Sequence, residues 1–210
     1  MAAKEPSSVT VPETSAITNL IASSASSDPV AASTIQILHN LQHQHLWTSL
    51  QIHDLRTTGT NPTSPDDKAV TPFIISGIPP HHVYIHPDEQ LYMLERGLRD
   101  DDVELERIFV VPTVQGQSWS LRKMAAVFDT LPDEAQFQAL DISVVESNEA
   151  PTEEKAAKLA EYYEHRKKAR LTKEWGGKRI LLAMVDRGMG GDGTVVYYII
   201  QEGAVKPRQN

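Results

Sequence analysis

Histidines at helical and strand spacings are the first side chains of this 210-residue sequence whose chemistry can be judged. His39 and His43 are four residues apart, so on a helix their imidazoles would share one face. His82, Tyr84 and His86 alternate, so on a strand they would also share one face. Either histidine pair could bind zinc, yet neither has a third protein ligand at a recognisable spacing. We therefore predict no metal site and no cofactor, and we interpret these histidines as surface or packing residues.

A basic run, from His165 to Lys173, carries side chains that could contact an RNA backbone. Such contacts with phosphates depend on salt and not on base sequence. The candidate residues are Arg166, Lys167 and Arg170. Neighbouring glutamates favour the other interpretation, a solvated helix face, and both interpretations stay open.

The segment from Asp186 to Gly193 is rich in glycine, a residue that is common in phosphate-binding loops. It lacks the Gly-Lys-Ser/Thr sequence of such loops. An apolar run typical of a strand follows it, where a phosphate site would require the start of a helix. We interpret the segment as the turn of a hairpin.

The bulk composition excludes several classes of protein. There are no cysteines, which excludes a disulfide framework, thiol catalysis and any zinc site with cysteine ligands. The formal net charge is −8. Because a chain that binds nucleic acid alone is usually basic, this balance predicts a partner that supplies positive charge. The N-terminus lacks a secretory pattern and no apolar run approaches about 18 residues, so we expect a soluble intracellular protein.

Residues 1–27 are dominated by Ser, Ala, Thr and Pro and contain few large apolar side chains. Such a segment cannot offset its ordering entropy, so we predict a disordered tail. Residues 28–210 are predicted to form one domain, which begins with a helix at Pro29. Prolines, a glycine and polar residues between 56 and 70 predict a flexible loop within this domain.

Alternating and helical apolar patterns along the domain predict a mixed architecture. The first half is predicted to contain a helix from Pro29, a half-buried strand with Leu46, Leu50 and Ile52 on one face, and an apolar strand at 73–75. A helix from Pro87 that buries Leu91, Leu94 and Tyr92 follows, and then an apolar strand that stops at Pro112.

The second half begins with a predicted helix that is capped by Ser118 or Ser120 and turns Leu121, Met124, Ala125, Phe128 and Leu131 inward. It continues with a strand at 140–144, a charged helix at 151–173 and a hairpin of two buried strands, 180–185 and 194–200. Together they predict an α/β or mixed α+β fold, in which a mixed β-sheet is flanked by helices.

The last predicted strand, Thr194 to Ile200, is apolar on both faces, which is typical of a covered strand. We expect no later element of the chain to pair with its free edge. A long apolar edge promotes association, and a strand from another protein could complete it through main-chain hydrogen bonds. The alternative is that the strand lies inside its own sheet. The candidate interface residues on it are Thr194, Val196, Tyr198 and Ile200.

Three segments give the sequence a family resemblance. The most specific is K-R-I-L-L-A-M-V-D … G-T-V-V-Y-Y-I-I-Q-E-G-A-V-K-P-R-Q-N, from Lys178 to Asn210. It is supported by V-Y-I-H-P-D-E-Q from Val83 and by S-W-S-L-R-K-M-A-A-V-F-D from Ser118. These segments resemble the nuclease-like domain of tRNA-splicing endonuclease subunits, and within that family the small structural subunit called subunit fifteen. The likeness covers roughly residues 34–210.

The resemblance implies a small mixed sheet flanked by helices and a role in removing introns from precursor tRNA. In that family two catalytic subunits each cleave one splice site, and two structural subunits hold them in position. Catalytic members cut RNA by general acid–base chemistry with Tyr, His and Lys. Here the corresponding region holds Tyr162, Tyr163 and His165 on one charged helix, and Lys178 falls near the family's lysine. The triad is interpreted as incomplete, so no catalytic residue is assigned.

The resemblance also implies where partners bind. Family members place their C-terminal strands side by side, and the tail residues Val205, Lys206 and Pro207 would reach a neighbouring subunit. The turn before the last strand lies where the family carries an acidic loop that docks into a basic cleft, and Asp186 and Asp192 match that loop. Extra glycines and an arginine depart from the family pattern, and an ordinary exposed hairpin turn is the alternative.

We therefore predict a non-catalytic structural subunit of a tRNA-splicing endonuclease, a heterotetramer that acts on precursor tRNA. Its expected partners are catalytic and structural paralogues, and no membrane span is expected. A homodimer is the alternative assembly when the partner is missing. The resemblance implies the nucleus or, as in some yeasts, the cytosolic face of mitochondria. The alternative functions are an active RNA endonuclease and a free-standing RNA-binding module.

Overall fold

The computed structural model of the protein describes residues 19–21, 23, 29–54, 73–131, 153–186 and 194–203. Its main elements are the helices α1 (Pro29–His43), α2 (Pro87–Glu95), α3 (Leu121–Thr130) and α4 (Glu153–Thr172), and the strands β1 (Thr48–Asp54), β2 (Phe73–Ile78), β3 (Ile108–Val114), β4 (Arg179–Asp186) and β5 (Thr194–Gln201). The predicted loop 56–70 and the predicted strand 140–144 lie outside the described residues. So does the predicted tail, apart from residues 19–21 and 23, which are helical. Among the described helices, none combines the length and the apolar composition that a bilayer crossing requires.

The five strands form one sheet in the order β1-β2-β3-β4-β5. Three neighbouring pairs are antiparallel, whereas β3 and β4 are parallel. Because parallel neighbours need a crossover connection, the chain between β3 and β4 is long and carries α3 and α4. This arrangement confirms the predicted mixed α+β class.

Helices cover both faces of the sheet. On one face, Ile37 and Leu41 of α1 belong to the same apolar cluster as Leu181 of β4. On the opposite face, Val127 of α3 clusters with Ile180 of β4. Successive residues of a strand point to opposite faces, so β4 is buried between the two helices. The two faces are called the α1 face and the α3 face below.

A third apolar cluster joins α2 to α4. Met93 of α2 packs there with Tyr162 and Ala169 of α4 and with Trp175, all of which are buried. The charged helix predicted at 151–173 is therefore confirmed, and it has a buried stripe. Its exposed surface carries the predicted pair of Glu154 and Lys158, whose charged atoms lie 2.8 Å apart.

The face of α2 that is buried differs in part from the prediction, although Tyr92 packs beside the third cluster as predicted. Leu91 and Leu94 are 57% and 63% exposed, whereas Glu89 and Met93 are buried. The reason is a polar contact, because Glu89 Oε1 accepts a hydrogen bond from the Tyr162 hydroxyl at 2.8 Å. An apolar pattern alone does not reveal a buried carboxylate.

Pro112 lies inside β3 and does not stop it. It pairs in register with Ala183 of the parallel neighbour β4. The pairing of β3 with β2 ends at Val110, so beyond that residue β3 has one unpaired side among the described strands. Proline has no backbone N–H, but on an unpaired side of a strand this removes no hydrogen bond of the sheet. Strands therefore tolerate proline at such positions.

Two other predicted faces are partly wrong. Leu46 is 66% exposed and lies before β1, with a φ of 56°. Ile52 is 46% exposed and follows a register shift between Thr48 and Gln51, which breaks the alternation in β1. In α3 the predicted cap is confirmed, since the hydroxyl oxygen of Ser120 accepts from the backbone N–H of the third helical residue. Phe128 and Leu131 are buried and Met124 packs beside them, as predicted, but Leu121 and Ala125 are exposed.

Candidate partner interface

β5 forms one edge of the described sheet. It pairs with β4 along its whole length, from Arg179 opposite Gln201 to Asp186 opposite Thr194. It also stands at the end of the strand order, so no described strand pairs with its outer side. The predicted hairpin is confirmed, and the described strands do not support the alternative of a last strand inside the sheet.

β5 is less covered than predicted. None of its residues is buried, whereas β4 buries Ile180, Leu181, Ala183 and Val185. The prediction of two buried strands is therefore correct for β4 and wrong for β5. The physical reason is that β5 has a described neighbour on one side only.

The four predicted interface residues of β5 share one face. Thr194, Val196, Tyr198 and Ile200 alternate along the strand and lie on the α3 face, where Ile200 packs in the α3 cluster. Tyr198 is 49% exposed.

The α1 face of β5 carries a residue that the sequence analysis missed. Ile199 is 45% exposed, nearly as much as Tyr198 on the other face. The sequence did contain an indication of this residue. Every position from Val195 to Ile200 is apolar or aromatic, so both faces of the strand carry apolar side chains.

The two edges of the described sheet differ in their protection against pairing. β1 has an irregular register between Thr48 and Gln51, and Ser49 has a φ of 50°. β5 pairs in register at all eight of its positions and contains no charged residue. Bulges and charges discourage the addition of a strand, so the outer side of β5 is the more receptive edge.

Tyr197 ties β5 to the end of α1. Its hydroxyl donates to Asn40 Oδ1 at 2.6 Å, and the His45 ring meets it edge-on with centroids 5.3 Å apart. Burial raises the pKa of Tyr197 above its ordinary value, so the phenol stays a neutral donor. These contacts fix the position of the strand edge relative to the helix.

The tyrosines and the histidine of the incomplete triad are held within the α2–α4 contact. Tyr162 is 1% exposed and donates to Glu89, and burial raises its pKa. The Tyr163 hydroxyl accepts from the Glu104 backbone N–H at 3.0 Å. The His165 ring stacks on Tyr92 at 4.3 Å and lies 5.0 Å from the Trp175 ring.

Lys178 lies at a different place in the fold. Its Nζ donates to the backbone carbonyl of Leu131 at 3.2 Å, and Leu131 is part of the α3 cluster. The lysine thus borders the α3 face, whereas Tyr162 packs in the third cluster with Trp175.

The predicted RNA-contact residues point in different directions. Arg166 and Arg170 both form ion pairs with Glu106, and the Arg166 side chain is only 11% exposed. Lys167 is exposed. Burial by itself would raise the pKa of Glu106, but the positive charges of Arg166 and Arg170 lower it below its ordinary value. RNA contact by these three residues stays a prediction.

The two histidine pairs that were considered as zinc ligands lie on different kinds of backbone. The rings of His39 and His43 lie 4.5 Å apart on α1, as their spacing predicted. His82, Tyr84 and His86 are not on a strand, because the segment between β2 and α2 has no regular structure. Within the described ranges, no three or more His, Asp or Glu side chains are grouped as metal ligands.

Four predicted interface residues lie outside the described residues, namely Asp192, Val205, Lys206 and Pro207. Asp186 is the last residue of β4 and pairs with Thr194.

Comparison with known proteins gives two matches. The family described as Sen15 protein matches residues 36–150 and 147–210, which include every strand of the sheet. The chain is also similar to the probable tRNA-splicing endonuclease subunit tsp-1 of Neurospora crassa, with 33% identity over 207 residues that cover 95% of this chain and 75% of that protein. No solved structure matches the chain.

Proposed function

Because the chain belongs to the Sen15 protein family, we propose that it is a non-catalytic structural subunit of a tRNA-splicing endonuclease. In the proposed complex other subunits cut precursor tRNA at the splice sites, and this chain holds a paralogous subunit through the outer side of β5. The name of the similar Neurospora crassa protein supports the assignment to such a complex.

The separation of the acid–base residues is the observation that carries the non-catalytic role. RNA cleavage of this kind needs an acid, a base and a cation within hydrogen-bond reach of one phosphate. Here the Tyr162 phenol is buried against Glu89, and His165 stacks on the Tyr92 ring beside Trp175. Lys178 is bound to the carbonyl of Leu131 beside α3. Each of the three side chains is thus engaged by other groups of the fold, and this supports the non-catalytic role.

The outer edge of β5, which pairs with no strand in the described ranges, supports a role in assembly. It offers eight consecutive residues in regular extended pairing, without a charge or a bulge. A strand from another subunit can bind such an edge through main-chain hydrogen bonds, and the exposed Tyr198 and Ile199 add apolar contact on both faces. The net charge of −8 also favours a complex in which other subunits supply the positive charge for RNA.

Reconstitution of the complex tests this proposal. The tagged chain, co-expressed with the other endonuclease subunits, is expected to recover them in equal amounts and to support cleavage of an intron-containing precursor tRNA. Lys178→Ala should change the cleavage rate no more than Lys158→Ala, which removes an exposed lysine of α4. Loss of cleavage on Lys178→Ala in a fully assembled complex would contradict the non-catalytic role.

The remaining predicted contacts extend the proposal. Asp186 and Asp192 would contact the partner from the hairpin turn, and the segment 205–207 would do so from the C-terminus. In the absence of a partner, the same edge would pair two copies of this chain, which sedimentation equilibrium can measure. We propose the nucleus as the site of action, with the cytosolic face of mitochondria as the alternative. Imaging of a tagged copy beside markers of both compartments decides between them.

A further inference from the structure

An apolar cavity of about 220 Å³ opens beside β5 on the α1 face of the sheet. Its walls include Leu41 of α1, Trp47, Val83, and the β5 residues Tyr197 and Ile199. Two walls therefore come from the strand whose outer edge pairs with no described strand. The cavity is continuous with the edge at which the partner is proposed to bind.

The cavity lies where α1 ends above β5. α1 ends at His43; near this end Asn40 accepts a hydrogen bond from Tyr197, and Leu41 lines the cavity. Ile199 lies two residues further along the same face and is 45% exposed, although Leu181, its register partner on β4, is 5% exposed. The strand face thus changes from covered to uncovered at this point.

We infer that the strand added at β5 carries one uncharged aromatic or branched aliphatic side chain that fills this cavity. The inference rests on the proposed pairing at β5. A residue paired with Ile199 on the same face would have its Cβ about 4.5–5.5 Å from that of Ile199, beside the cavity. An apolar cavity of about 150 Å³ is known to hold a benzene molecule, so this one has room for a single ring or a leucine side chain.

The chemistry of the walls selects the occupant. Among the described residues, no carboxylate, lysine or arginine lines the cavity, and His45 is the one titratable residue of this described lining besides the neutral phenol of Tyr197. A charged side chain would therefore lose its hydration without finding a partner, whereas an apolar side chain would leave water for an apolar surface. This makes the cavity a determinant of which strand the edge accepts.

The isolated chain allows a first test that needs no partner. Isoleucine δ1 methyl groups labelled with ¹³C are followed by NMR while indole, or N-acetyl-lysine amide as the charged probe, is added. Indole is expected to shift the Ile199 signal saturably and the lysine derivative is not. Ile52, which is 46% exposed on the opposite edge strand, is the matched control. Equal shifts at Ile52 and Ile199, or no shift at Ile199, would overturn the inference.

The assembled complex gives the second test. Val83→Phe narrows the cavity from its wall, and Val83→Ala keeps it open. With folding checked by the melting temperature, Val83→Phe is expected to weaken partner binding about 10- to 100-fold, the range for loss of one large buried apolar side chain. The dissociation constant of the Val83→Ala complex should stay within about threefold of the wild-type value.

The outcomes separate this inference from the proposed function. If the wild-type chain recovers no endonuclease subunit, the proposed function fails. If the wild-type chain recovers them and Val83→Phe binds them equally well, the cavity inference fails while pairing at β5 stands. If Val83→Phe does not fold, the NMR titration with indole decides the inference by itself.

Discussion

Replacing Arg166 by alanine is expected to destabilise the fold far more than removing an exposed charge from α4. The Arg166 side chain is 11% exposed and pairs with Glu106 and with Glu89, whose Oε1 lies 3.4 Å from its Nε. Glu89 is itself only 4% exposed. Without Arg166, Glu106 keeps its contact with Arg170, and the nearest cation to Glu89 is Arg179 at 3.8 Å.

The expected loss follows from the burial of Arg166 and Glu89, since the Glu106 side chain is 36% exposed. Removing one partner of a buried ion pair costs about 3–5 kcal/mol. Because Glu106 retains Arg170, we expect a value near the lower end, about 3 kcal/mol in the free energy of unfolding. For a chain of this size each kcal/mol moves the melting temperature by about 2–4 °C, so Tm should fall by roughly 6–12 °C. Urea unfolding and thermal unfolding followed by circular dichroism measure the two quantities.

Two control variants distinguish the loss of the Arg166 charge from a general effect of mutating α4. Lys158→Ala removes an exposed, paired lysine from the same helix and should leave Tm unchanged. The double replacement of Arg166 and Glu89 by methionine leaves fewer unpaired buried charges, so it should recover part of the loss. If Arg166→Ala melted within about 2 °C of wild type, the reasoning would be refuted and Arg166 would become a stronger candidate for RNA contact.

The same contact should weaken in acid. The pKa of Glu106 is below its ordinary value, because the arginine charges outweigh the effect of burial. A carboxyl group with a lowered folded-state pKa adds stability above its unfolded pKa, about 4.3, and loses it as the pH falls through the folded-state value. The stability difference between wild type and Arg166→Ala should therefore shrink below about pH 4.

Three further variants test separate parts of the structure. Tyr197→Phe removes the hydrogen bond to Asn40 and should lower the free energy of unfolding by about 0.5–1.5 kcal/mol in urea; unchanged stability would show that the bond adds nothing. Gly77→Ala would place a Cβ 2.7 Å from Leu50 Cδ2 and should cost about 1–3 kcal/mol by overpacking, which a wild-type Tm would contradict. Lys167→Ala in the assembled complex should weaken RNA binding alike for all sequences and reduce the salt slope by about one, whereas an unchanged slope would rule out a phosphate contact.

The basic run on α4 shows how one segment can serve two purposes. Arg166 and Arg170 point to Glu106, so their charge holds the helix in the fold. Lys167, between them in sequence, is exposed. Because helix neighbours point about 100° apart, a run of basic residues cannot all face one partner. Contact with RNA through the exposed side and anchoring through the buried side are therefore compatible.

Local pattern was sufficient to predict much of the architecture. The apolar runs of β4 and β5 with a turn between them predicted the hairpin, and the Ser120 cap and the charged composition predicted α3 and α4. Their causes lie within a few residues of one another, since capping, alternation and charge spacing act along the chain. The edge position of the last strand was also predicted in this way.

Only the tertiary structure decided which faces are buried. Glu89 lies inside because Tyr162, distant in sequence, donates to it, so α2 turns its Leu91 and Leu94 to solvent against the apolar pattern. The cavity at Ile199 likewise depends on where α1 ends above a strand far along the chain. Sequence determined the elements because propensity and amphipathicity are local. Tertiary packing determined the cavity and the buried ion pairs, because these join residues that are far apart in sequence. No local sequence pattern indicates such contacts.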